Sequence, residues 1–184
     1  MARESKSLYA LLGILSLRPR SGYEIKKLIE QSLIHFWREG YGQIYPNLKK
    51  LVEQDLATVH TERQRGRPDK RVYTITEKGR EQLLQWLQKP IDQLPPEKNE
   101  LLLKLFFGQN VSAEDNLDHI KRHRQRMVDT LAVYDGIEAY LISEQCTDPH
   151  INYSLMTLRY GQRVVKAIIE WCDESISTLQ SEIK

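Results

Sequence analysis

The stretch from Tyr41 to Leu56 leaves this chain little choice of local fold. Ile44, Leu48, Leu51 and Val52 recur at i, i+4, i+7 and i+8, the spacing of one buried helical stripe. Pro46 lies inside the same stretch, and a proline fits a helix without loss only in its first turn. The helix is therefore expected to begin within a residue or two of Gln43. At about 100° per residue, Gln43, Pro46, Lys49 and Lys50 fall on the side away from the stripe. That side offers an amide and two ammonium groups, with no carboxylate before Glu53. Its N-terminal end adds free backbone N–H groups suited to a phosphate. An ordinary surface helix with solvated lysines has the same pattern, so the flanking segments decide.

After Leu56 the apolar period falls from that of a helix to 2. Ala57, Val59 and Thr61 alternate with polar residues, as do Tyr73 and Ile75, and both segments read as strands. Between them Arg63 to Arg71 holds five cations and one acid, with Gly66 and Pro68 to turn the chain. This basic tip is either solvated or, beside a basic helix, reaches phosphates or the minor groove. Thr76 then caps a helix from Glu77 to about Gln88, with Leu83, Leu84 and Leu87 expected inward. Upstream, Leu8, Leu11, Leu12 and Leu15 predict a helix over residues 5–17, broken at Arg18-Pro19-Arg20. Ser21-Gly22-Tyr23-Glu24 has the spacing of a capping box and opens a second helix to about Leu33. Ile25, Leu28, Ile29 and Leu33 are its inward residues. Phe36 and Trp37, in the segment that follows, read as packing residues or as part of a ligand pocket.

Three helices, a hairpin and a fourth helix make the order of a winged helix-turn-helix. Residues 5–88 resemble the PadR family of bacterial transcriptional regulators. The resemblance is carried by Leu11-Leu12-Gly13-Ile14-Leu15, Ser21-Gly22-Tyr23-Glu24-Ile25, Gln43-Ile44-Tyr45-Pro46 with Leu48 and Leu51, Gly66-Arg67-Pro68 with Tyr73, Ile75 and Thr76, and Glu77 with Gly79. One departure stands out. The family usually has glycine after the recognition helix, where this chain has Asp55; an aspartate tolerates a left-handed cap better than most residues.

The second half differs in charge. Residues 1–90 hold 17 Lys/Arg against 10 Asp/Glu, and residues 91–184 hold 10 against 15. A basic module joined to an acidic one is expected, with polyanion binding in the first. Three prolines mark residues 90–96 as a linker between a winged helix domain at 1–89 and a helical domain at 97–184. Leu101 to Phe107 is apolar almost all round and predicts a short buried helix. Ser112 caps a long helix in which Leu117, Ile120, Arg124, Met127, Leu131, Tyr134, Glu138 and Leu141 keep 3–4 spacing. A last helix over about 151–182 carries Gly161, Val165, Ile168, Cys172 and Leu179 on one seam, with Val164, Trp171 and Ile176 beside it. Faces this wide need more surface than the two helices give each other. The layout resembles long PadR members with a virulence-activator-type C-terminal domain, whose helices form a dimer interface. Leu117, Met127, Leu131, Val165, Ile168, Trp171 and Leu179 are the expected dimerisation residues.

The chemistry excludes as much as it suggests. There is no G-x-S-x-G, no H-E-x-x-H and no glycine-rich phosphate loop, so no enzyme is expected and no cofactor. His119 and His123 lie at i, i+4, a spacing that can chelate zinc, but no third ligand follows and Lys121, Arg122, Arg124 and Arg126 crowd them with positive charge. A metal- or redox-responsive sensor using His119 and His123, or Cys146, is the alternative to a DNA-binding regulator; no metal site is assigned. The two cysteines support no disulfide framework, no apolar run reaches 18 residues, and no secretory h-region opens the chain, so a cytoplasmic, non-membrane protein is expected. As a regulator, the chain would place Gln43 and Lys49 at base edges. Tyr45 and Lys50, with Ser21 and Tyr23, would hold phosphates, Pro46 would open the recognition helix, and Arg65, Arg67 and Lys70 would form the wing contact. A homodimer would then read an inverted-repeat operator in double-stranded DNA, as a repressor. The resemblance also implies a small phenolic or apolar effector, with Trp37, Tyr41 and Tyr134 as lining residues that could equally serve packing.

Overall fold

The computed structural model describes residues 6–31, 41–63, 69–91, 98–143 and 150–182. The chain divides into two compact units, Met1–Leu94 and Pro95–Lys184.

In the first unit, helix α1 (Lys6–Leu17) is followed by a two-residue strand β1 (Arg20–Ser21) and helix α2 (Gly22–Gln31). A 3₁₀ turn at Tyr41–Gln43 leads into α3 (Ile44–Glu53), then β2 (Ala57–Glu62), β3 (Lys70–Ile75) and α4 (Glu77–Gln88). The strands form an antiparallel sheet in the order β1-β3-β2, with Arg20 opposite Tyr73 and Val59 opposite Tyr73 from the other side. Strand β1 corrects the expectation of a plain hairpin: two residues carry no period of their own and become a strand only by pairing with β3.

The core gathers one stripe from each element: Leu11, Leu12 and Leu15 of α1, Ile25 and Ile29 of α2, Ile44, Leu48 and Leu51 of α3, and Tyr73 and Ile75 of β3. Tyr9 and Trp86 stack face to face at 4.7 Å and so join α1 to α4. Of the three leucines expected inward on α4, Leu83 is buried, whereas Leu84 and Leu87 are 55% and 63% exposed. The periodicity gives a stripe, but α1 is narrow enough to cover only the Leu83–Trp86 side of it.

The turn after α3 holds the expected left-handed residue. Asp55 has φ 58°, and the N–H groups of Asp55 and Leu56 donate to the carbonyls of Val52 at 3.1 Å and Leu51 at 2.8 Å. This is a Schellman cap, with Leu56 buried as its apolar plug. The N-terminus of α4 is fastened to the same turn: Thr76 N–H donates to Leu56 O at 3.0 Å and the Thr76 hydroxyl donates to Asp55 O at 2.7 Å. Gly79 allows this approach, since a Cβ there would collide with the Leu56 carbonyl oxygen and lie 2.9 Å from Ile75 Cγ1.

In the second unit, α5 (Glu100–Phe106), capped by Asn99, leads through a 3₁₀ turn (Gly108–Asn110) to α6 (Ala113–Leu141) and α7 (Ile151–Glu182). Ser112 Oγ accepts from Asp115 N–H at 3.1 Å, so the expected cap is in place. Helices α6 and α7 pack antiparallel along most of their length. Arg124 and Glu138, which interrupt the apolar seam, mark the register. Arg124 donates to both carboxylate oxygens of Asp173, at 2.6 and 3.2 Å, and Glu138 accepts from Arg159 and from Gln162 at 2.8 and 2.9 Å. The α5 helix forms as expected but is not buried within the chain: Phe106 is 80% exposed, and Leu102, Leu103 and Phe107 are exposed with it.

Candidate nucleic-acid interface

The candidate interface is built from the ends of α2 and α3 and the stem of the hairpin. On α3, Ile44, Leu48 and Leu51 are sealed into the core, and Gln43, Pro46, Lys49 and Lys50 all face solvent. Pro46 is the third helical residue, inside the first turn, where its missing N–H costs no helical bond. Lys49 lies 3.5 Å from Glu53, but both side chains are more than half exposed, so the pair is worth little and releases readily. Asn47, unremarked in the sequence pattern, is buried on the inward side of the same helix.

Tyr23 and Tyr45 flank that face, 70% and 57% exposed. Their positions are linked through Gly22, where a Cβ would stand 2.5 Å from Tyr45 Cε1. Without a side chain there, the Tyr45 ring lies against the first turn of α2.

Ser21 closes the capping box expected from its spacing to Glu24. The residue is buried, and its hydroxyl donates to Glu24 Oε2 at 2.7 Å and accepts the Glu24 N–H at 3.3 Å. The Ser21 N–H also donates to Glu24 Oε2, at 2.8 Å. This reciprocal capping box uses the groups that a phosphate would need. Lys70 is similarly engaged: its Nζ lies 3.2 Å from Glu24 Oε1 and 3.1 Å from Oε2. The Ser21 hydrogen bonds, backbone first, and then Lys70 hold the Glu24 carboxyl down at about 2. Arg65 and Arg67 lie outside the described residues.

The transcriptional regulator PadR-like family profile matches residues 11–85, and the virulence activator alpha C-terminal profile matches residues 97–180. The negative transcriptional regulator PadR of Bacillus subtilis is 27% identical over 180 residues, 95% of this chain and 97% of its own. The crystal structure of Bacillus subtilis PadR in complex with operator DNA superposes with a TM-score of 0.85 at 26% identity, over 95% of this chain and 99% of that one. The Vibrio cholerae virulence activator AphA is 30% identical, with a TM-score of 0.76 over 95% of this chain and 99% of its own. The chain belongs to the PadR-like family of transcriptional regulators.

The residues expected to dimerise lie in the C-terminal unit of this PadR-like chain. Val165 is buried, and Leu117, Met127, Leu131, Ile168, Trp171 and Leu179 are half-buried in the single chain. Ile120, Tyr134 and Cys172 are buried in the same unit, where α6 packs against α7. Apolar residues exposed in the single chain include Leu102, Phe106 and Phe107 on α5, Val133 and Tyr140 on α6, and Tyr153, Met156 and Tyr160 on α7.

The expected effector residues are only partly described. Tyr134 is buried with its ring beside Gly161 of α7, Trp37 lies outside the described residues, and the side chain of Tyr41 is likewise not described. A cavity of about 530 Å³ does lie in this unit, lined by Leu105, Val111, Ile120, Trp171 and Leu179, and Tyr134 is not in its wall. Among the described residues no group of three or more His, Cys, Asp or Glu side chains is arranged to hold a metal ion. His119 is exposed, and His123 is pushed down by burial and by Arg126, the crowding expected from the sequence. Cys146 lies outside the described residues, and burial pushes the Cys172 thiol up, away from the reactive thiolate. No helix among the described residues is long and apolar enough to cross a membrane.

Proposed function

We propose that this PadR-like protein is a cytoplasmic homodimer that binds an inverted repeat in double-stranded DNA and represses transcription. The observation that carries the reading is the outward face of α3. Gln43, Pro46, Lys49 and Lys50 stand in solvent on a helix whose other side is locked in the core, in a chain that aligns over 95% of its length with an operator-bound relative. Gln43 and Lys49 meet base edges, since an amide pairs with adenine and an ammonium with guanine. Tyr23, Tyr45 and Lys50 hold phosphates, and Arg65 and Arg67 supply the wing contact. The repressing sign is supported by the relative described as a negative transcriptional regulator.

Pairing of two copies is supported by the exposed apolar side chains of α5, α6 and α7, a larger set than a solitary helical unit usually leaves to water. A twofold dimer places its recognition helices about one helical turn of DNA, or a multiple, apart. Selection of bound duplexes from a random pool at a stated salt concentration tests the reading. Inverted repeats with a fixed spacing support it, and a pool that stays random removes it. Arg67→Ala should weaken binding on all sequences and flatten its salt dependence; unchanged affinity would remove the wing from the account.

Relief by a small phenolic or apolar effector is the finer part of the same reading. Its support is the cavity, whose mixed wall sets Gln109, Asn116, Ser175 and Thr178 beside apolar side chains and whose Trp171 is a built-in reporter. A phenolic acid that quenches tryptophan fluorescence and lowers duplex affinity supports it; an effector must bind the two states differently to act at all. A compound panel without any such hit counts against it.

A further inference from the structure

We infer that Glu24 is a positioning residue for DNA binding: it ties the stem of the β2–β3 hairpin to the first turn of α2, and in doing so withdraws Lys70 from the phosphate-binding set. The inference rests on the DNA-binding reading above. One carboxylate serves two elements. Its Oε2 accepts the Ser21 N–H and hydroxyl at 2.8 and 2.7 Å, which closes the start of α2. The same carboxylate faces Lys70 Nζ at 3.1 and 3.2 Å, and Lys70 is the first residue of β3. The two residues are 46 positions apart, so the contact fixes tertiary geometry and not a local turn. Tyr23 and Gly22, against which Tyr45 lies, belong to the turn that Glu24 closes. The ion pair thus joins the hairpin stem to the surface that carries the exposed tyrosines.

The pairing also alters which cations the duplex meets. Both side chains are only partly exposed, 31% for Lys70 and 39% for Glu24. For Lys70 to neutralise a phosphate it would have to leave a carboxylate that stays ionised at any working pH. A carboxylate left alone at that point would face the polyanion directly. Lys70 therefore acts as a strut, and phosphate neutralisation is left to Lys50 and other cations.

The experiment compares Glu24→Gln, Lys70→Met, Lys70→Arg and the Glu24→Gln/Lys70→Met pair in the full-length protein. Duplex binding is read across a salt series, with circular dichroism to confirm folding. Glutamine keeps the cap, because its oxygen still accepts from Ser21; it removes the charge and sets an NH₂ against Lys70 at the Oε1 position, so the strut is weakened. Glu24→Gln and Lys70→Met should each weaken binding to the selected duplex about fivefold, within the range for coupled charged neighbours, and the double variant should cost no more than either. The slope of log K against log salt should stay at the wild-type value, and Lys70→Arg should bind as wild type. The inference is overturned if Lys70→Met lowers that slope by about 0.9, the signature of one lost phosphate contact, with Glu24→Gln binding more tightly. It is equally overturned if the variants bind as wild type. Wild-type protein that retains no duplex would defeat the functional reading and this inference with it, whereas the preceding outcomes defeat the inference alone.

Discussion

Asp55 stands where an L-residue is least comfortable, and its replacement by glycine measures what the departure costs. A left-handed conformation costs an ordinary L-residue about 1–2 kcal/mol, and an aspartate sits toward the lower end. Glycine removes that strain but adds about 0.5 kcal/mol of unfolded-state entropy. It also loses the Lys78 Nζ–Asp55 Oδ2 contact, which at 4.0 Å between side chains 62% and 87% exposed is worth about 0.2 kcal/mol. The backbone bonds of the cap, Leu56 to Leu51 and Asp55 to Val52, do not involve the side chain and persist. The balance favours Asp55→Gly by about 0.3 kcal/mol, or roughly 1–2 °C in Tm for a winged unit of this size. Asp55→Ala, which keeps the strain and loses the polar side chain, should melt below wild type. Thermal unfolding followed by circular dichroism orders the three. If the glycine variant melted below wild type and the alanine variant matched it, the carboxylate and not the backbone would govern this turn, and the argument would be wrong.

Three further outcomes follow from the same geometry. Gly79→Ala drives a Cβ into the Leu56 carbonyl and should cost about 2–4 kcal/mol, seen as a fall in Tm together with weaker duplex binding. The Glu24 carboxyl, lowered in the folded protein from its usual 4.5 to about 2, contributes stability that is complete above the unfolded value and is lost as pH falls from 4.5 toward 2. With 39% of the side chain exposed, screening reduces that contribution to about 1 kcal/mol, and Glu24→Gln should remove this part of the acid sensitivity in a pH series of melts. Phe106→Asp combined with Tyr160→Glu should shift the protein toward monomer in sedimentation without unfolding it, because both side chains are already exposed in the single chain; a variant that stays dimeric would move the interface elsewhere.

What the sequence disclosed, it disclosed through local rules. The α3 stripe, the confinement of Pro46 to the first turn, the caps at Ser21, Thr76 and Ser112 and the left-handed Asp55 each depend on residues within one or two turns of each other. The misreadings share the opposite property. Strand β1 exists only because β3 lies beside it. Leu84, Leu87 and the α5 apolar residues fit a buried period, but a period reveals a face and not its covering. Lys70 looks available in a list of polar residues, and only the fold shows its contact with Glu24. Contacts across 46 residues leave no mark in spacing.

The central claim is that two copies of the α3 surface read one duplex together. Its most direct measurement is the stoichiometry and salt dependence of binding to a selected duplex, by sedimentation of the complex at several salt concentrations. The account predicts two protomers per inverted repeat, half-sites about one helical turn or a multiple apart, and an affinity that falls steeply as salt rises. One protomer per duplex, or an affinity indifferent to salt, would contradict it.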